Sequence, residues 1–293
     1  MAGLSKGRAT VLLLFFLLAD ALNTDLSGAG PAGWLLCPIA AGLALPIYRT
    51  LGRLTGWLEK KLGRTVIDVF LLVFALWAIG QMTEDFAGVL RTYNDFTRTP
   101  AMVCLLLLGT AFYLSRLHGS GLVRTAEMFF WPVAAVLVLT FCAGLADCDF
   151  GRLLPLDLWS APKGTVWLLG KVFVQGILAI SLLEREVTPE DLTCALQTGT
   201  LLSGGILGLF LAKDVAQVGW TMASRYTYPL YALAGLTRSG TGMHIEDLLI
   251  CALLAARLIK GAMIFRLIGD ILKRWRPEAL APLGKGSWHA ARD

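Results

Sequence analysis

The chain has 293 residues, 56% of them hydrophobic and only 16% charged, with a mean hydropathy of +0.66. Soluble domains run near a quarter charged, so this balance excludes a soluble core, a coiled coil and a disordered tail, and is that of an integral membrane protein in a lipid bilayer. The net charge of +5 is read as topology rather than as a nucleic-acid surface, because basic membrane proteins owe their excess to cytoplasmic loops.

Uninterrupted apolar runs predict crossings at 10–24, 31–48, 66–91, 99–117, 125–146, 165–183, 194–212 and 245–271, about eight transmembrane helices at about 20 residues each. With the amino terminus inside, fifteen Lys and Arg fall on the inner side and seven on the outer, among them Lys213. Both termini are therefore expected in the cytoplasm. Four further cations, Lys171, Arg257, Lys260 and Arg266, lie inside predicted helices. The expected organisation is one polytopic domain over 1–275 and a polar cytoplasmic tail over 276–293. The six cysteines form no C-x-x-C pair, so neither a zinc site nor a disulfide framework is indicated.

The first segment has a basic start and an A-x-A ending like a signal peptide, but we read it as retained. From Ala9 to Asn23 a helix rises only ~22 Å, short of a ~30 Å hydrocarbon core. The text that follows, "DALNTDLSGAGP", breaks a helix. Asp20 then lies ~16 Å from the inner start, either in contact with a ligand or cation at the midplane, or wet beyond a helix that simply ends.

On the third segment Phe74, Trp77, Ala78, Gln81, Glu84, Asp85 and Gly88 form one stripe at helical spacing. Two adjacent carboxylates away from water do not both stay ionised. The pair Glu84 and Asp85 therefore either serves proton coupling or lines an outer vestibule, ~27 Å from Val66. The sixth segment carries Gly170, Lys171, Gln175 and Gly176. That text either opens the helix to a ligand or only packs it closely. In transporters built from two inverted repeats, breaks in the first and sixth helices meet at a binding site.

The eighth segment places Arg257 and Lys260 ~18 and ~22 Å from its outer start. Two cations that deep demand an anion, and the expectation is a charge pair between Asp20 and Arg257 with Lys260 close by. Arg266 and Asp270 read as an i, i+4 surface pair. No H-E-x-x-H, G-x-S-x-G or phosphate loop occurs and the three histidines are scattered. No catalytic residue, metal or cofactor is therefore expected.

A family resemblance enters between Thr99 and Leu156. "TRTPAMVCLLLLGTAFYLSR", "GLVRTAEMFFWPVAAVLVLTF" and "DFGRLLPL", followed by "SRYTYPLYALAGL" and "IEDLLICALLAARLIKGAMIF", resemble the B subunits of spore germination receptors. These form the GerAB-type family of the amino acid/polyamine/organocation transporter superfamily. The resemblance implies a leucine-transporter-like inverted-repeat fold, here lacking the last two of ten helices because the text after Leu272 turns polar. It implies that a small nutrient germinant, an amino acid, is bound among helices one, three, six and eight. It implies assembly with an A-type membrane subunit and a C-type lipoprotein in the inner membrane of a bacterial endospore. The family's sixth helix carries a Gly-Glu pair where this chain has Val174 and Gln175. Ligand contact is expected from Asp20, Asn23, Gln81, Glu84, Lys171 and Gln175. The competing expectations are an amino acid transporter, proton-coupled or uncoupled, and a degenerate membrane scaffold.

Overall fold

A computed structural model describes residues 4–23, 28–93, 100–117, 119–154, 159, 161–236 and 245–275. The helices among them are α1 (Lys6–Ala21), α2 (Gly33–Leu62), α3 (Arg64–Tyr93), α4 (Pro100–Arg116), α5 (Gly119–Ala143), α6 (Ala161–Leu168), α7 (Gly176–Leu183), α8 (Pro189–Val218), α9 (Trp220–Ala223), α10 (Pro229–Leu236) and α11 (Ile245–Trp275). No strand occurs among the described residues.

Local chemistry sets the ends of the long helices. Thr188 caps α8 by accepting from the Asp191 amide, Pro189 opens its first turn, and Glu190 and Asp191 face its positive end. α11 starts on Glu246 and Asp247 and ends on Lys273 and Arg274, matching its dipole at both ends. Lys and Arg are good helix formers, so α2 continues past its apolar part, Gly33–Leu51, through the basic stretch to Leu62.

The chain is an all-α membrane protein. Among the described residues five helices are long and apolar enough to cross a membrane, or six if the bent pair α6–α7 is one span. Among the described residues each predicted run falls mainly on helix, that at 165–183 on the bent pair α6–α7, but α1 has 16 residues and α4 has 17, about 24 and 26 Å of rise. Large apolar side chains face outward from α3, α4 and α5, including Phe70, Val73, Leu105, Tyr113, Met128 and Trp131, the pattern of a surface solvated by lipid.

The interior is built around α1, α8 and α11. α1 is buried continuously from Leu12 to Ala19, as a helix apolar on all sides must be. α8 packs along both α1 and α2, while α11 packs against α4, α5, α1 and α3. The α8–α2 approach depends on two small residues four apart: a Cβ on Gly204 would sit 2.4 Å from Ala41 Cβ, and one on Gly208 2.7 Å from the Trp34 carbonyl oxygen.

Two expectations change here. Lys213, assigned to an outer loop, lies inside α8 and is buried, because that helix runs six residues past the apolar stretch read from the sequence. Arg266 pairs with Glu186 rather than with Asp270, since the α7–α8 connection brings a carboxylate closer than the next helical turn. Asp270 is 3.7 Å from Lys273 instead. The polar tail at 276–293 lies outside the described residues.

Candidate functional site

Asp20 stands in the last turn of α1. The helix stops one residue later, where the Leu22 amide bonds back to the Leu18 carbonyl and the Asn23 amide to the Asp20 carbonyl. The first segment is thus a half-helix that delivers a carboxylate to the middle of the bundle. Its side chain is 10% exposed and forms an ion pair with Lys260, which is 0% exposed.

The partner side comes from the broken sixth segment. After α6 the backbone takes a π turn over Leu169–Phe173, then kinks through Val174 and Gln175 into α7, a bend of 44°. The Tyr48 hydroxyl of α2 donates to the Phe173 carbonyl in the break. Gly176 permits this approach, since a Cβ there would lie 2.3 Å from the Tyr48 oxygen. The kink turns Gln175 inward, and its Oε1 accepts from Lys260 Nζ at 2.6 Å. Lys260 Nζ also lies 5.2 Å from the Phe16 ring centroid. One buried ammonium therefore joins α1, α7 and α11.

Above this junction is a cavity of ≈ 310 Å³ walled by Asp20, Trp77, Gln81, Asp85, Trp167, Lys171 and Gln175, with Val166 and Gly170. Lys171 Nζ meets Asp85 Oδ2 at 3.4 Å, and these side chains are 31% and 26% exposed. The cavity thus has a buried ion pair at its base and a wetter one in its wall. Two amide groups and two indoles complete it. The lysine ammonium and the amides offer donors to a carboxylate, and the two aspartates offer acceptors to an ammonium group. The arrangement suits a small zwitterion.

Four of the six residues expected to touch ligand, Asp20, Gln81, Lys171 and Gln175, converge on this cavity. Two do not. Glu84 is exposed and outside the lining, because consecutive side chains on a helix point ~100° apart and Asp85 takes the inward position. Asn23 is buried beyond the end of α1, away from the cavity wall, and its side-chain amide has no hydrogen-bond partner among the described residues.

The expected pairing of Asp20 with Arg257 is also corrected. The ion pair is Asp20–Lys260, while Arg257 turns to α3, donates to the Met82 carbonyl and lies 5.3 Å from the Phe86 ring. The two residues lie about one turn apart on one side of α11, and the guanidinium reaches across to α3 while the ammonium meets Asp20 of α1. Lys260 does not reach either surface. Its buried position excludes the snorkelling that would have explained it without a partner.

Sequence reasoning did not place Asp85 or Trp167 in the site. The signal was present for one of them: Trp167, Lys171 and Gln175 recur every four residues on one helical face. For Asp85 the stripe alone could not say which of two adjacent carboxylates faces inward.

Comparison of the sequence with protein-family models and with curated proteins finds no match.

Proposed function

We propose that the chain is the B subunit of a spore germination receptor. In this reading it binds a small zwitterionic nutrient, an amino acid, in the cavity between α1, α3 and the α6–α7 break, and signals through an A-type membrane subunit and a C-type lipoprotein. What supports the reading is the convergence of a half-helix, a broken helix and charges of both signs on one small cavity, together with the sequence resemblance. The fold is then leucine-transporter-like. α1 and α4 count as crossings, making eight, and both termini are cytoplasmic at the inner spore membrane.

In this assignment the ligand carboxylate goes to Lys171 and the Gln175 amide. Its ammonium group goes to Asp85 and to acceptors at the end of α1. The break in the sixth segment also favours a second reading, an amino acid transporter, since a hinge at the site is what alternating access requires. One experiment separates the two. The full chain in lipid nanodiscs is screened by thermal shift against the common amino acids, and the same protein in proteoliposomes is assayed for their uptake. A shift without uptake supports the receptor, and uptake overturns it in favour of transport. Neither shift nor uptake leaves the scaffold. Gln175→Leu should abolish the shift, and because Gln175 also accepts from the buried Lys260 ammonium, the variant's folded yield is measured beside it.

A further inference from the structure

A second cavity lies on the other side of α1. It has a volume of ≈ 260 Å³ and is walled by three helices, with Phe15 and Leu18 from α1, Val133 and Leu137 from α5, and Ile206 and Phe210 from α8. Every side chain in the lining is apolar. Val138, Leu202 and Leu209 line its mouth and are exposed by 62%, 45% and 58%, so the cavity is continuous with the outward apolar surface of α5 and α8.

Its depth decides what can occupy it. Leu14 to Leu18 stand ~12–18 Å along α1 from Lys6, within a ~30 Å hydrocarbon layer. Water has no polar partner in such a lining, and an empty cleft would forfeit the dispersion contacts of its walls. A whole helix with its side chains is ~10 Å across, too broad for a cleft of this volume. The medium at that depth is the alkyl chain of a lipid, which is long, thin and apolar.

We propose that this cleft is a site for one acyl chain of a membrane phospholipid, and that the chain buttresses α1 from behind. The geometry of α1 gives the site its consequence. Phe16 and Asp20 are four residues apart and share the face that meets Lys260. Leu18 lies two residues from each, and so ~200° around the helix, on the face that lines the cleft. A chain in the cleft presses on the side of α1 opposite its ion pair. α1 is short and its Ser5 N-cap makes no side-chain capping bond, so its position rests on what packs along it.

The test uses the full chain in vesicles of phosphatidylcholine and phosphatidylglycerol, with a photoreactive benzoyl-phenylalanine replacing Val138. A matched protein carries it at Leu105, which is 69% exposed on α4 and away from the cleft. After detergent extraction and a delipidating wash, illumination followed by intact-mass analysis should give a phospholipid adduct at position 138 and none at 105. Equal labelling at the two positions, no adduct at 138, or an adduct with a protein there overturns the proposal.

A second measurement stands apart from labelling. Delipidation should lower the thermal stability of the wild-type protein, and added phospholipid should restore it. Ala134→Phe, which places a ring in the cleft, should remove that dependence. Ala134→Leu serves the same purpose if the larger side chain prevents folding. An equal lipid dependence in the wild type and in the folded variant would also sink the site.

Discussion

Two buried lysine–aspartate pairs lie among the described residues, and they are built differently. Lys260 and Asp20 are 240 residues apart in sequence, and the ammonium they share with Gln175 ties three helices together. Lys213 and Asp214 are neighbours in α8, 3.7 Å apart and both buried. Consecutive side chains on a helix diverge by ~100°. Lys213 therefore turns to the Thr140 carbonyl at 3.5 Å, and neither Asp214 oxygen has a hydrogen bond among the described residues. The first pair neutralises charge and sets architecture, whereas the second only neutralises charge. Sequence proximity gave the weaker bond because a helix holds adjacent residues apart.

The largest effect should come from breaking the first pair. Lys260→Met removes the ammonium that faces the buried Asp20 carboxylate, at a cost of about 3–5 kcal/mol. Thermal unfolding in detergent should show it as a large loss of stability or of folded yield. Combining it with Asp20→Asn should cost less than the sum, with a coupling of about 0.5–3 kcal/mol. Additive losses would mean that the two charges are held independently.

Replacing Lys213 and Asp214 together, by Met and Leu, should be neutral or stabilising by up to about 4 kcal/mol. It removes two desolvated charges that lack good mutual geometry. If the double variant lost as much stability as Lys260→Met alone, the contrast between the two sites would fail.

A smaller effect is expected at the wetter pair. Lys171→Gln and Asp85→Asn should each change stability by only about 0–1 kcal/mol, as for partly solvated ion pairs. The same variants should weaken the ligand-induced thermal shift strongly, and an undiminished dose response in both would move the ligand away from this wall. The smallest effect, none, is expected from replacing sodium by potassium in the binding assay. The Lys260 ammonium already stands against Asp20, and a clear sodium requirement would contradict that arrangement.

The sequence by itself determined the class of molecule, the placement of the helices and much of the cavity. A bilayer forces each crossing to be a long apolar run, so the runs are legible without tertiary information, and among the described residues each falls mainly on helix. The same cost makes polar residues at depth rare and therefore informative, which is why Asp20, Gln81, Lys171, Gln175 and Lys260 stood out and four of these five line one cavity. The exchange of Arg257 for Lys260, of Glu84 for Asp85 and of a surface Lys213 for a buried one needed the tertiary structure. Each turned on the azimuth of a side chain or on a few residues of helix length. Periodicity fixes a face only to within a wide arc, and the neighbours of that face decide which of two adjacent polar residues can be satisfied. The acyl-chain cleft was invisible for a related reason: its walls are ordinary apolar residues, and the space between them exists only where α1, α5 and α8 meet.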